Sequence, residues 1–355
     1  MTDMLLHFYK ALMGFGLAAA IVWVLTPAVS ELARRMGVMD EPEARKIHAY
    51  PTPRLGGIAL FVGVIVPALL LLSSEPANRG ILLGAALVVV VGALDDFRDT
   101  PPMFKFAGQL VAASILVYFG VMVETLSIPL VGILSLGWAA IPVSLLWVIA
   151  IMNIVNFIDG MDGLAAGVCG ISAITFAVIA LSLGRFDMGI LAAVVAGSTI
   201  GFLWHNFHPA SIFMGDSGSL LLGYLLAAVS LQGFLKGVAT VALLIPLLVL
   251  SIPIFDTGFA ILRRVKNRQP IYLADRGHIH HRFTNLGYSH RKTVIIIYCW
   301  SATMSVVALC MRFAPVWVTG MAAAVAGVVS FFIAYRLEIL RWDKLLGSRL
   351  RGDEE

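Results

Sequence analysis

Long apolar runs, broken at intervals by short polar loops, constrain this chain more than any other feature. A helix needs about 20 apolar residues to cross a hydrocarbon core. Eleven stretches qualify, near 11–30, 55–73, 80–95, 106–122, 138–155, 164–183, 188–204, 218–232, 238–262, 293–311 and 315–335, of which the third and eighth are short. The chain is 59% hydrophobic and 13% charged, with a mean hydropathy of +0.92. A soluble domain carries roughly 25% charged residues, so the charge share is about halved. The pattern predicts an all-α polytopic membrane protein of about 11 transmembrane helices. One helical domain spans 1–335, and a charged tail covers 336–355. Ala11–Val29 ends in no clear small-residue cleavage site, so it reads as a retained first span. Val123–Leu136, with Pro129 and Gly132 among aliphatic residues, predicts a small periplasmic β-hairpin on the membrane surface.

The net charge of +4 and pI near 9.0 do not indicate nucleic acid, because the basic residues lie in loops between apolar spans. Their expected neighbours are the lipid bilayer, with its anionic headgroups, and phosphate-bearing substrates. Cys169, Cys299 and Cys310 fall in apolar stretches and read as small buried hydrophobes, neither a disulfide frame nor a zinc site.

Lysine and arginine set the orientation of a membrane chain. With the N-terminus outside, 20 of the 25 basic residues fall on the cytoplasmic side; the other five are Lys10, Arg79, Arg185, Lys236 and Arg312. The C-terminus is then inside. The polar segments of the chain all share the cytoplasmic side, in the loops 34–54, 95–105, 156–163, 204–217 and 263–292.

Each of those segments has a plain reading beside a chemical one. DDFRD (95–99) ends the third span, where Asp95, Asp96 and Asp99 share a face if the helix continues. Carboxylates at a helix C-terminus meet the negative end of the dipole. A divalent metal, Arg98 or Lys105 would compensate them; the plain reading is a solvated helix end. In NIVNFIDGMDG (153–163), Asp162 suits the N-cap of the sixth span. Capping leaves Asn153, Asn156 and Asp159 unexplained at a membrane boundary, and amide and carboxylate oxygens suit magnesium. In HNFHPASIFMGDSGS (205–219), Asp216 or Ser217 suits the cap of the eighth span. Phe213, Asn206 and Asp216 together also offer an aromatic face, an amide and a metal-type carboxylate. In ADRGHIHHRF (274–283), three histidines flanked by Arg276 and Arg282 suit a diphosphate or sugar hydroxyls better than zinc. The plain reading there is a basic juxtamembrane loop. Asp256, inside the ninth span after Pro246 and Pro253, is an intramembrane carboxylate. Such a group is functional by default, and the prolines suggest a broken helix; Arg263 and Arg264 are potential partners.

Taken in order, DDFRD, NFIDGMDGL, FMGDSGS, PIFD (253–256) and GHIHHRF resemble the polyprenyl-phosphate N-acetylhexosamine-1-phosphate transferases, from about Lys46 to Phe283. Each motif alone is modest; the ordered set is specific. The loop is similar to the bacterial branch that uses UDP-GlcNAc and undecaprenyl phosphate. The muramyl-pentapeptide branch has three consecutive histidines where this chain has His280, His281 and then Arg282.

The resemblance implies roles for individual residues. Asp216 and Asn156 bind Mg2+ (with Mn2+ as a substitute) on the UDP diphosphate, and Phe213 packs against uracil. Asn206 and Asp162 contact the nucleoside or support its pocket. Asp95 and Asp96 match the essential pair, one of which acts on the lipid phosphate. Lys46 and Lys105 lie near phosphate, and Arg276, His278, His280, His281 and Arg282 line the diphosphate and sugar. Asp159 and His280 join the Asp95–Asp96 pair as catalytic candidates. The implied setting is the bacterial cytoplasmic membrane with the active site facing the cytoplasm, and a homodimer is compatible with it.

The reaction so implied is attack of the lipid phosphate on the β-phosphorus of UDP-GlcNAc, with UMP leaving, at the start of cell-envelope glycan synthesis. Direct single displacement is preferred, because the lipid phosphate is already ionised near neutral pH; a covalent aspartyl intermediate is the alternative. Another UDP-HexNAc donor fits the same motifs. UbiA-type prenyltransferases lack the MGDSGS and HIHH segments. CDP-alcohol phosphotransferases need an arginine that the Asp159–Gly160 segment does not supply. A transporter would place its polar residues near the bilayer midplane, where this chain has only Asp256.

Overall fold

The structure is a computed structural model that describes residues 2–41, 51–98, 100–128, 132–235, 244–266, 282–284 and 286–336. It is an all-α bundle with two small two-stranded ladders. The helices are α1 (Thr2–Arg35), α2 (Gly56–Leu71), α3 (Pro76–Arg98), α4 (Pro102–Tyr118), α5 (Ala140–Ile158), α6 (Leu164–Ser182), α7 (Phe186–Asn206), α8 (Gly215–Ser230), α9 (Leu244–Val249), α10 (Ser251–Lys266), α11 (His290–Phe313) and α12 (Val316–Arg336). Among the described residues, seven helices are long and apolar enough to cross a membrane, and three shorter apolar ones lie at Gly56–Leu71, Pro102–Tyr118 and Trp317–Ile333.

Two expectations about span length change. The third span is not short: α3 opens at Pro76, a residue suited to a first turn, and runs 23 residues to Arg98. Nor is the eighth: α8 continues through a π-helical turn, Leu231–Leu235, to give an apolar span of 20 residues, Gly215–Phe234. From Ser217 to Ser230 every residue of α8 is buried, because α2, α3, α5, α6 and α7 surround it. A helix apolar on all sides belongs inside a bundle. Small residues let its neighbours approach: a Cβ at Gly92 would lie 2.4 Å from the Ser217 Cα, and one at Gly223 2.6 Å from the Met152 Cα.

The broken ninth span appears as α9 and α10, separated at Leu250. Pro253 has no N–H for the Val249 carbonyl, four residues back. The Ser172 hydroxyl of α6 donates to that carbonyl instead, at 3.3 Å. Asp256 and Arg264 are both buried on α10. The β-hairpin is present, with β3 (Thr125–Ile128) antiparallel to β4 (Gly132–Ser135) and Thr125 opposite Ser135. The other ladder pairs β1 (Met39–Asp40) with β2 (Thr52–Pro53). Of the cysteines, Cys169 is buried, but Cys299 is exposed on the outward face of α11, against expectation.

Helix direction alternates along the chain. The C-terminal ends of α1, α3, α5 and α7 therefore gather with the N-terminal ends of α2, α4, α6 and α8. That end of the bundle holds the polar motifs. At the opposite end, Asp187 in the first turn of α7 accepts from the Asn78 amide at 2.7 Å and from the Ser73 hydroxyl. There Arg312 donates to the Ser182 carbonyl at the end of α6, at 2.9 Å.

Candidate active site

The N-terminus of α8 is the centre of the site. Gly215 has φ +67°, a region that L side chains avoid, and a Cβ there would lie 2.5 Å from the Asp96 carboxylate. Neither Asp216 nor Ser217 caps α8. Met214 occupies the cap position, and no side chain of the local turn bonds the free N–H groups. The acceptor comes from α3. The Asp96 carboxylate takes the Asp216 N–H at 2.7 Å, the Ser217 N–H at 3.1 Å and the Ser217 hydroxyl at 2.7 Å. A carboxylate at a helix N-terminus meets the positive end of the dipole. Asp96 is thus buried and engaged, and it pins the helix that carries Asp216.

Asp95, one residue earlier, points elsewhere. It accepts from the Thr100 N–H at 2.9 Å and the Thr100 hydroxyl at 2.5 Å, and it pairs with the Lys105 ammonium at 3.1 Å. Lys105, at the start of α4, also contacts the Asp216 carboxylate directly. Among the described residues Lys105 pairs with the end of α3, where Arg98 is exposed. From α5, the Asn156 amide reaches Asp216 at 3.0 Å and the Ser219 hydroxyl at 2.9 Å. Four helices, α3, α4, α5 and α8, thereby bring Asp95, Asp96, Lys105, Asn156 and Asp216 into one bonded network.

Asp159 follows α5 directly as its C-cap. Burial, then the charges of Asp216, Asp96 and Asp162, push its carboxyl well above the ordinary carboxylate value. Asp162 does not cap α6 as its sequence position suggested: Gly163, at φ +78°, holds the cap position without a side-chain bond. The Asp162 carboxylate instead accepts from His208 Nδ1 at 2.7 Å and from the Ala210 N–H at 3.1 Å. Asn206 is buried with both ends of its amide on backbone. It accepts from the Gly163 N–H at 3.0 Å and donates to the Ile212 carbonyl at 2.9 Å. It therefore staples the 159–163 loop to the 207–214 loop.

Phe213 is half-buried, and its backbone is held from both sides. Its N–H donates to the Pro53 carbonyl at 2.8 Å, and its carbonyl accepts from Gly56 at 3.0 Å. Leu55, which precedes α2, sits at φ 115° with its side chain buried. Strain of that kind in a leucine persists only where its surroundings enforce it, and such positions cluster at functional sites. Arg282 is half-buried. Lys46, Arg276, His278, His280 and His281 lie outside the described residues.

Several residues at this end were not singled out from sequence. Ser219 and Thr100 complete the carboxylate network together with Ser217, which the sequence offered only as a cap. His208 sits in a segment whose polarity was noted, but its contact with Asp162 spans 46 residues. His290 stacks on His208, with centroids 4.2 Å apart and planes 13° from parallel. Ligand atoms of Asp162, His208 and His290 lie within 4.8 Å of one another. Near-parallel rings keep their in-plane lone pairs from converging on one point, so the pair forms a wall beside Asp162 more readily than a ligand set. Tyr298 donates to the Gly163 carbonyl, and Arg291 to the His208 carbonyl at 3.1 Å, tying α11 to the same loops.

The site gathers Asp95, Asp96, Asp159 and Asp216 around the single ammonium of Lys105, as far as the described residues go. Hard oxygen donors with excess negative charge fit a divalent cation of the magnesium class.

Residues 78–234 match the model of glycosyl transferase family 4. The chain is 42% identical over 312 residues to a probable undecaprenyl-phosphate N-acetylglucosaminyl 1-phosphate transferase of Bacillus subtilis (strain 168), covering 87% of each chain. It is 40% identical over 318 residues to a decaprenyl-phosphate N-acetylglucosaminephosphotransferase of Mycobacterium tuberculosis (strain ATCC 25618 / H37Rv), covering 80% of this chain and 78% of the relative. A phospho-N-acetylmuramoyl-pentapeptide-transferase of Moorella thermoacetica is 30% identical over 322 residues, covering 84% of this chain and 98% of the relative.

Proposed function

The chain belongs to glycosyl transferase family 4, and from that membership we propose that it transfers GlcNAc-1-phosphate from UDP-GlcNAc to undecaprenyl phosphate. The observation that carries this reading is the network at one end of the bundle, where Lys105, Asn156 and three aspartates meet at the N-terminus of α8. The identity to the Bacillus subtilis and Mycobacterium tuberculosis GlcNAc-1-phosphate relatives, above that to the Moorella thermoacetica muramyl-pentapeptide one, supports the smaller donor.

In the reaction an oxygen of the lipid phosphate forms a bond to the β-phosphorus of UDP-GlcNAc. The bond from that phosphorus to the bridging oxygen breaks, and UMP leaves with that oxygen. The lipid phosphate is already ionised near neutral pH, so no base is needed, and most of the catalysis is positioning and charge neutralisation. Lys105 supplies an ammonium where two anionic phosphates must approach. Asp95 orients that ammonium, and Asp96 fixes the helix that carries Asp216. Asn206 holds together the two loops that carry Asp162 and Phe213, which contact the nucleoside. Lys46, Arg276, His278, His280, His281 and Arg282 complete the phosphate and sugar contacts. Asp216 and Asn156, with Asp159 nearby, would hold Mg2+, which supplies Lewis-acid neutralisation of the diphosphate; Mn2+ takes the same donors. The site faces the cytoplasm of a bacterial inner membrane, consistent with the excess of lysine and arginine on that side.

The test is UMP release by purified protein given undecaprenyl phosphate, Mg2+ and either UDP-GlcNAc or UDP-MurNAc-pentapeptide. Release with UDP-GlcNAc alone, abolished in Asp216→Ala, is the expected result. Release only with the muramyl donor overturns the choice of sugar, and release with neither overturns the GlcNAc assignment and turns the assay to other UDP-HexNAc donors.

A further inference from the structure

Below the carboxylate network a second polar contact crosses between helices. Gln109 of α4 and Asn153 of α5 face each other as reciprocal amides. The Asn153 Nδ2 donates to the Gln109 Oε1 at 2.7 Å, and the Gln109 Nε2 donates to the Asn153 Oδ1 at 3.4 Å. Gln109 is 3% exposed, and Asn153 also donates to the Ile149 carbonyl of its own helix at 2.8 Å. Nothing in the transfer chemistry uses either side chain.

Their positions give the pair a meaning. Gln109 lies four residues after Lys105 and Asn153 three before Asn156, so each is the next residue on its helix face. Lys105 and Asn156 converge on opposite oxygens of one carboxylate, Asp216 Oδ2 and Oδ1. The distance between α4 and α5 at this level sets where those two groups stand. On its other side α5 is tied to α8 by Asn156 and, further along, by the Trp147 indole bond to Ser230 at 2.8 Å. The contact from α4 to α5 has no such second tie among the hydrogen bonds between their described side chains, apart from the amide pair itself.

We infer that Gln109 and Asn153 are positioning residues, a lateral amide clasp that sets the spacing of Lys105 and Asn156 about Asp216. The inference rests on the transferase reading of that site. Two amides in register are a suitable clasp in an apolar bundle, because each offers a donor and an acceptor and neither brings a charge. A hydrogen bond between membrane helices is individually weak, so its effect is geometric: small misplacements at a reacting centre cost rate steeply.

The experiment compares full-length wild type with Gln109→Leu, Asn153→Leu, the double Leu variant, and the exchanged pair Gln109→Asn with Asn153→Gln. Turnover, the Mg2+ concentration for half activation and the unfolding midpoint are measured for each. Each single Leu variant is expected to lower turnover about ten-fold and to raise the half-activating Mg2+ concentration. The double variant is expected to be no worse than the worse single, because one contact has been removed twice. The exchanged pair, which keeps the combined length and the bond, is expected to recover to within about three-fold of wild type. A merely structural role would lower the unfolding midpoint and leave turnover per folded molecule and the Mg2+ requirement unchanged; that result overturns the inference. So do losses that multiply in the double variant. A wild-type protein that releases no UMP from any UDP-HexNAc donor sinks the transferase reading and the clasp together, whereas wild-type activity indifferent to these variants sinks the clasp alone.

Discussion

The two ends of the bundle treat charge in opposite ways. At the end away from the site, Asp187 and Arg312 sit where the helix dipole favours them. Asp187 is in the first turn of α7, with Ser73 and Asn78 donating to it. Arg312 is in the last turn of α11 and donates to the final carbonyl and hydroxyl of α6, both at 2.9 Å. At the site end the rule is broken twice. Asp95 and Asp96 occupy the C-terminal turn of α3, and Asp159 the C-terminus of α5, where negative charge is disfavoured. Asp96 is relieved by the N-terminus of α8 and Asp95 by Lys105; Asp159 has three other carboxylates as its electrostatic neighbours. Carboxylates that stand against the dipole of their own helix, two of them held by groups from other helices, mark this end as the place of function.

Substitutions at the two ends should therefore separate activity from stability. The largest effect is expected for Asp216→Asn, which should lower turnover by about 10^3-fold with a far smaller change in the unfolding midpoint. Asp187→Ala is the counterpart. It removes the charged acceptor of the buried Asn78 amide, which keeps its bonds to Ser73, and should cost about 1–2 kcal/mol of stability, while turnover per folded molecule stays at the wild-type level. Denaturant unfolding beside steady-state kinetics reads both, and a large rate loss in Asp187→Ala would break the comparison.

Asp159 sharpens it through pH. Its folded carboxyl titrates well above its unfolded value, so folding takes up a proton between those two values. Stability should fall as pH rises through that interval and then level off, with the folded state carrying an unfavourable ionised carboxylate. Asp159→Asn should remove this slope and be the more stable protein above it, while losing activity. Unfolding followed from about pH 4 to 8 in EDTA checks the sign; a wild-type stability that rises with pH through the same group would contradict it. The smallest effect is expected for Arg312→Ala, which removes a terminal cation–carbonyl contact worth about 0.5–1 kcal/mol and should leave turnover untouched.

The helices were legible because membrane spans announce themselves by apolar length, and the site because carboxylates and amides are conspicuous at a membrane boundary. What connects them was not. Asp96 and Ser217 are 121 residues apart, and no local pattern says that the carboxylate at the end of one helix will cap another. The same holds for Gln109 with Asn153 and for Asp162 with His208. Local rules misled where tertiary contacts overrode them. Asp162 and Asp216 both stand where capping residues belong, yet the caps are Gly163 and Met214, and both carboxylates are spent on other partners. The eighth span, short in the sequence, is enclosed by its neighbours from Ser217 to Ser230. The break at Leu250 was foreseeable from its prolines; the serine of α6 that repairs it was not.

The central claim is that the misplaced negative charge at one end of the bundle exists to hold a divalent cation against a sugar-nucleotide diphosphate. One titration addresses it directly: purified protein in EDTA, given UDP-GlcNAc and undecaprenyl phosphate, is brought back with Mg2+ while UMP release and the unfolding midpoint are followed together. The account predicts that both rise over the same Mg2+ range in wild type and that neither rises in Asp216→Ala. Turnover that persists in EDTA, or an unfolding midpoint that ignores Mg2+ in the wild type, would contradict it.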